Sequence, residues 1–277
     1  MFTNNINCSI VVKDYCEFSG LKEDIVKSKV EASLAFSANE WNKNVSGNDL
    51  LQVQKFYTAS DYVCEVLLAY LHPEAFYKKE TMMDILKFVK GSSGKNVMEF
   101  GGGTGQLCLT MYFNTDKKIT YVDLPGRIAE FAKWRFKKYN ADITVVYSDV
   151  EELKLPKCEY DTLVSDAVLE HVPNLEQAIK SLSESMKPNG KFYLLFDTEY
   201  SERFPMHISA KKDLQGIARR EKLYRIDNAV YVKSDGLSTR VKHALYRSSP
   251  YILKQAITGI NHPHMISRKI ISKTKSL

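Results

Sequence analysis

No apolar run in this 277-residue chain approaches the roughly 18 to 20 residues that a membrane-spanning helix needs. With 13 glycines and 8 prolines, the chain is too poor in both for a collagen-like or low-complexity protein. The first residues carry no basic head and no long apolar stretch, so no secretory leader is expected. Five cysteines, Cys8, Cys16, Cys64, Cys108 and Cys158, form no C-x-x-C pair and no even framework. They read as reduced thiols of a cytoplasmic protein, and no metal site is expected. What remains is ordinary globular composition, with 44% hydrophobic and 26% charged residues.

The net charge of +6 is unevenly placed. Between Gly236 and Leu277 there are eight basic side chains and no acidic one, which leaves 31 basic against 33 acidic residues in the body. A nucleic-acid enzyme spreads positive charge over its working face, so no nucleic-acid partner is expected. In the tail, Ile252, Leu253, Ala256, Ile257 and Ile260 follow helical spacing, with Ile266, Ile270 and Ile271 beyond. Such a segment can lie on an anionic membrane surface. Docking on the body with the basic face in water is the favoured reading.

Three parts are expected: residues 1–90 as a mostly helical segment, 91–235 as the core, and 236–277 as the basic helical tail. In the first part, Ser9 to Lys13 looks strand-like, and Ser19 caps a helix running to about Trp41. A helix from Thr58 to Leu71 puts Val63, Val66, Leu67 and Tyr70 on one face, and Pro73 can open the next. After the break at Gly91 to Gly94 the texture alternates. Strands are expected at 96–100, 118–123, 143–149, 160–166 and 190–197, and helices at 105–113, 126–139, 174–187 and 209–221. That order is α/β: a parallel sheet with helices on both faces, binding ligands at the carboxyl ends of its strands. A hairpin around Asp227-Asn228 closes the core.

The first core strand runs into Glu99-Phe-Gly-Gly-Gly-Thr-Gly105 and then a helix. Glycines let backbone approach a ligand, and the helix N-terminus behind them attracts negative charge. A dinucleotide fingerprint requires G-x-G-x-x-G, but the sixth position is Gln106 from Gly101 and Cys108 from Gly103. The Lys-Ser/Thr pair of a P-loop is missing too, since Gln106-Leu107 follows Gly105.

The pattern that fits is acid-x-G-x-G-x-G, through Glu99, Gly101, Gly103 and Gly105. Acids follow at later strand ends: Asp123, Asp149 and Asp166, the last opening Asp166-Ala-Val-Leu-Glu-His-Val172. Met186-Lys-Pro-Asn-Gly190 makes a further turn in which Asn189 tolerates a left-handed backbone. Over about Thr81 to Lys233 the chain resembles class I S-adenosylmethionine-dependent methyltransferases of the small-molecule branch. The resemblance implies a Rossmann-like, doubly wound, seven-stranded sheet, with the N-terminal helices as a lid. It also implies S-adenosylmethionine as cofactor, held by Glu99, Phe100, Gly101, Gly102, Gly103, Asp123, Leu124, Asp149, Val150, Ser165 and Asp166. Asp123 would hold both ribose hydroxyls, a task suited to a carboxylate because it accepts two hydrogen bonds at once. Leu124 would press on the adenine face. Asp149 would accept from the adenine amino group, and the Val150 backbone N–H would reach the ring.

Methyl transfer displaces a neutral leaving group, so the chain must align the acceptor and remove its proton. Candidates lie past the fourth and fifth core strands. His171 is the first choice as base because imidazole titrates near neutral pH, and a purely structural His171 is the competing reading. Asp166 and His207 follow, with Glu170, Asp197 and Glu199 in the same region. The N-P-P-Y segment of amino-group base methyltransferases is replaced by Ser165-Asp-Ala-Val168, and no Pro-Cys pair is present. A small acceptor is therefore expected, and the resemblance implies methylation on oxygen of a polar metabolite, such as a sugar or phosphoryl group of a surface-glycan precursor. N- or C-methylation, or a non-catalytic relative of the fold, are the alternatives. Trp41, Phe56, Tyr57, Tyr62 and Tyr77 suffice to line such a pocket, though aromatics at helical spacing are more often core.

Overall fold

The five β-rich runs form five adjacent strands, from one edge inward, of a seven-stranded sheet of order β3-β2-β1-β4-β5-β7-β6. The computed structural model describes residues 9–47, 49–59, 62–71, 75–149, 153–202, 204–234 and 236. Val150, Pro73, Cys8 and the tail from residue 237 onward lie outside the described residues, as does the Tyr77 side chain. The strands are β1 (Asn96–Phe100), β2 (Lys118–Asp123), β3 (Thr144–Tyr147), β4 (Tyr160–Asp166), β5 (Met186–Leu195), β6 (Leu223–Arg225) and β7 (Val230–Lys233). β1 to β5 pair in parallel, while β7 runs antiparallel between β5 and β6. The expected parallel sheet is thus a mixed one, closed by the expected hairpin. Chain order reverses between β1 and β4, which is where such sheets open a crevice at their carboxyl ends.

Helices α6 (Gln106–Asn114), α7 (Arg127–Lys138), α8 (Leu175–Ser185) and α9 (Leu214–Arg220) connect the strands. Their buried faces follow helical periodicity: Ile128, Phe131, Ala132, Arg135 and Phe136 on α7, and Leu175, Ala178, Ile179 and Leu182 on α8. One core lies on each side of the sheet. Val97, Tyr121 and Val164 belong to one, Met98, Val122 and Leu163 to the other, as the two-residue strand period requires. Asn174 and Asp213 start α8 and α9 by accepting the Gln177 and Gly216 N–H groups. That cap places the start of α9 five residues later than the 209–221 reading. β5 begins at Met186, earlier than expected, and Asn189 takes a φ of 62° in its turn.

The N-terminal part departs most from its sequence reading. Ser9 to Lys13 is the start of helix α1 (Ser9–Ser19), not a strand. Its β-branched run is buried through Val11, Val12 and Tyr15, at helical spacing, so tertiary packing overrides local β preference. Ser19 closes α1 instead of opening a helix, and Gly20, at φ 72°, ends it. Then come α2 (Glu23–Asn44), α3 (Leu50–Thr58), α4 (Tyr62–Leu71) and α5 (Ala75–Gly91). The expected helix over 58–71 is interrupted, since Thr58 ends α3 and α4 starts at Tyr62. Val63, Leu67 and Tyr70 are buried as read. Among the described residues, no helix is long and apolar enough to cross a membrane.

Candidate active site

The glycine loop is pinned to the end of β2. Gly101 and Gly102 both donate to the Val122 carbonyl, at 2.8 and 3.2 Å. Asp123 accepts the Gly103 N–H at 2.7 Å and the Leu124 N–H at 2.7 Å, while the Tyr121 hydroxyl donates to the Gly103 carbonyl at 2.8 Å. Gly101 sits at φ 72°, and a Cβ there would fall 2.3 Å from Val168. A Cβ on Gly102 would fall 2.4 Å from the Tyr121 ring. The glycines are therefore required by the fit of the loop between β2 and the segment after β4. Tyr121, two residues before Asp123 on the same strand face, was missed by the sequence reading, although its period-2 position was available.

Above this loop is a cavity of about 280 Å³. Glu99, Phe100, Gly101, Gly102, Gly103, Asp123, Leu124, Asp149, Asp166 and His171 line it, so most of the site expected from sequence converges. Among the described members of that set, two do not reach the wall. Ser165 is fully buried within β4, and His207, 7% exposed, stands behind His171. The opposite wall comes from α3 and α4 through Tyr57, Tyr62, Glu65, Val66, Ala69 and Tyr70. Trp41 and Phe56 pack edge-on behind the tyrosines and belong to the supporting core.

The cavity has a pronounced electrostatic character. Its described lining includes the carboxyl groups of Glu65, Glu99, Asp123, Asp149 and Asp166 and no lysine or arginine. Burial raises Asp123 above its ordinary carboxyl range, against the opposing pull of the Gly103 and Leu124 N–H groups. Burial also pushes Glu65 up to about 7, while the Ser37 hydroxyl works the other way.

Past β4, the chain makes a single 3₁₀ turn, Leu169–His171. The Tyr57 hydroxyl lies 2.8 Å from His171 Nδ1, and the His207 ring meets the His171 ring edge-on with centroids 4.7 Å apart. His207 Nδ1–H donates to the Glu199 carbonyl at 2.7 Å. Burial, followed by the neighbouring His207, lowers His171 to about 3. Glu170 is completely buried, accepts the Asp197 N–H at 3.2 Å, and is pushed up to about 8 by desolvation. Donor atoms of Glu170, His171 and His207 lie within 4.8 Å of one another, a grouping that could also take a metal ion although the sequence spacing suggested none. Asp197 accepts the Glu199 N–H at 2.9 Å, the Glu199 carboxylate accepts the Ser201 hydroxyl at 3.4 Å, and both residues are absent from the described cavity wall.

A deeper network supports the loop from below. Arg135, with 0% exposure, donates to the Thr104 carbonyl at 2.9 Å, to Gln106 Oε1 at 2.5 Å and to Asp14 of α1 at 2.8 Å. No motif reading could single out this arginine, because its partners lie about 30 and 121 positions away.

With that geometry in place, residues 98–194 match the family model described as "Methyltransferase domain". A 104-residue stretch is 36% identical to malonyl-[acyl-carrier protein] O-methyltransferase of Priestia megaterium, covering 37% of this chain and 36% of that protein. A 185-residue stretch is 25% identical to ubiquinone biosynthesis O-methyltransferase of Vibrio cholerae, covering 64% of this chain and 69% of that one. Among solved structures, the CurJ carbon methyltransferase aligns with a TM-score of 0.48 at 13% identity, covering 74% of this chain and 68% of that chain. The chain spans about a third to a half of the length of the malonyl-[acyl-carrier protein] relatives it matches.

Proposed function

We propose that this chain, whose residues 98–194 match a methyltransferase domain, is a class I S-adenosylmethionine-dependent methyltransferase that methylates a hydroxyl oxygen of a small polar acceptor. The carrying observation is the cavity at the β1/β4 switch point, where the glycine loop and Asp123 face the Tyr57–His171 pair. S-adenosylmethionine, when bound, supplies an electrophilic methyl group on a sulfonium. Asp123 retains lone pairs beyond those given to Gly103 and Leu124, which suits it to two ribose hydroxyls. Leu124 and Asp149 line the same wall and are assigned to the adenine. In this reading residues 1–90 serve as the lid and acceptor wall and 91–235 as the core, and the protein works in the cytoplasm.

The acceptor proton goes to the Tyr57–His171 pair. A histidine held at about 3 does not deprotonate an alcohol in the ground state. As the new O–CH₃ bond forms, however, the acceptor oxygen becomes strongly acidic, and a weak, neutral base then suffices. Asp166, also on the wall, is the second acceptor-side group. His207 orients His171 and does not touch the acceptor.

Five carboxyls without a basic side chain in the described lining disfavour an anionic acceptor. This favours a neutral hydroxyl, such as that of a sugar in a surface-glycan precursor, over a phosphoryl group. The same charge favours an amine, so N-methylation is the second reading. Two measurements test the proposal. Calorimetry should show S-adenosylhomocysteine binding that weakens roughly 10-fold or more in Asp123→Ala. An acceptor screen should release S-adenosylhomocysteine with neutral alcohols and not with phosphorylated or carboxylated ones. Unchanged affinity in a folded Asp123→Ala protein would remove the cofactor assignment, and turnover with amines alone would replace the acceptor assignment.

A further inference from the structure

Helix α4 lies outside residues 98–194, yet it presents one face to the cavity: Tyr62, Glu65, Val66, Ala69 and Tyr70. The face is docked directly on the glycine loop. A Cβ on Gly103 would meet Val66 at 3.6 Å, beside Ile128 at 3.7 Å, and the Thr104 hydroxyl donates to the Tyr70 hydroxyl at 3.2 Å. Glu65 is thereby fixed beside the loop. The Ser37 hydroxyl of α2 hydrogen-bonds its carboxyl, while its Oε2 is shielded from solvent and has no hydrogen-bond partner.

A shielded carboxylate oxygen without a partner costs free energy in the ligand-free protein. The described cavity lining offers no lysine or arginine to offset that cost. The complement must therefore arrive with a ligand, and it must be a cation or a hydrogen-bond donor. Of the groups that the proposed cofactor carries, one is an α-ammonium, charged at neutral pH, at the end opposite the adenosine. We propose that Glu65 is the subsite for the α-ammonium group of the cofactor's amino-acid end, so that the lid helix itself reads the charge of the bound cofactor. The inference rests on the cofactor reading above.

Two consequences follow from the chemistry. Ligands with the amino-acid end gain a charge-assisted bond that ligands without it cannot make. Ionised Glu65 is also required, and this carboxyl is held near 7, so affinity for the ammonium ligand must rise between pH 6 and 8. The groups around Glu65 do not mask this. Ser37 on α2 is neutral, and the Tyr57 and Tyr62 hydroxyls are raised by burial and stay protonated in that range. His171, held at about 3, remains uncharged, and across the cavity stand the carboxyls of Glu99, Asp123 and Asp166.

The test compares S-adenosylhomocysteine with 5′-methylthioadenosine, which lacks the amino-acid end, by calorimetry on the full chain. Glu65→Gln should weaken S-adenosylhomocysteine roughly 10- to 100-fold, leave 5′-methylthioadenosine within about twofold, and abolish the rise in affinity from pH 6 to 8. Ser37→Ala should weaken only S-adenosylhomocysteine, by a smaller factor. Unchanged S-adenosylhomocysteine affinity in Glu65→Gln would overturn the proposal. So would equal weakening of both ligands in both variants, which would make Glu65 a support of the lid alone. If the wild-type protein bound neither ligand, the cofactor reading would fall and this inference with it.

Discussion

Tyr57 and His171, 114 positions apart, meet at 2.8 Å through the phenol hydroxyl and Nδ1. The contact joins α3 to the turn after β4, so the acceptor wall and the core share one polar link. Because burial holds His171 at about 3, the ring is neutral at working pH. A neutral ring can orient Tyr57 and can take a proton late in the reaction.

This pair sets the first prediction. His171→Ala should lower kcat by roughly 10²- to 10⁴-fold with S-adenosylhomocysteine affinity nearly intact, and Tyr57→Phe should lower it in the same direction. At saturating cofactor, kcat should show no break near the ordinary imidazole value of about 6.5. The sign follows from the lowered value: protonation of His171 begins only well below that pH. An acid limb centred near 6.5 that disappears in His171→Ala would contradict the burial seen here. A matching fall in cofactor affinity would make His171 a support for its loop.

The glycine loop gives a second prediction, by contrast between neighbours. Gly101 and Gly103 both have positive φ, 72° and 51°, so an alanine at either costs about 1–2 kcal/mol of backbone strain. At Gly101 the new methyl would also collide with Val168, whereas at Gly103 it would meet Val66 and Ile128 at ordinary contact distances of 3.6 and 3.7 Å. Gly101→Ala should therefore lower the denaturation midpoint clearly more than Gly103→Ala. Gly103→Ala should act chiefly on cofactor affinity, because its methyl projects into the cavity side. Equal destabilisation by the two would show that Val168 can move away at little cost.

Much of this molecule was readable beforehand, and the boundary has a physical cause. Strands β1, β2 and β4 were found to the residue because each is a short apolar run bounded by polar or glycine residues. The cavity wall at Glu99 to Gly103, Asp123, Asp149 and Asp166 was legible because its members recur at strand ends, a position set by chain order. The misreadings fall where long-range packing decides. Ile10, Val11 and Val12 carry local β preference, but α1 is held against α7 by Tyr15, Phe18, Phe131 and Trp134. Glu65 and Arg135 carried no signal at all, since each acquires its meaning only from residues distant in sequence.

Arg135 yields the last prediction. The guanidinium is fully buried and joined to Asp14, which is 1% exposed and also receives Lys138 at 2.9 Å and the Tyr139 hydroxyl at 2.7 Å. Removing one member of a buried pair leaves the other desolvated, at a cost of about 3–5 kcal/mol. The two single variants should nevertheless differ. Arg135→Met leaves Asp14 with Lys138 and Tyr139 as partners, whereas Asp14→Leu leaves the guanidinium with only the neutral acceptors Thr104 and Gln106. Asp14→Leu should be the more destabilising in urea unfolding at unchanged m-value, and the double variant should recover part of the loss. Arg135→Met should carry a second signature, weaker S-adenosylhomocysteine binding, because the Thr104 carbonyl loses the donor that holds the glycine loop from beneath. Additive losses in the double variant would mean that the two side chains stabilise the fold independently. Unaltered cofactor affinity in Arg135→Met would mean that Asp123 and Tyr121, from the β2 side, hold the loop without help from α7.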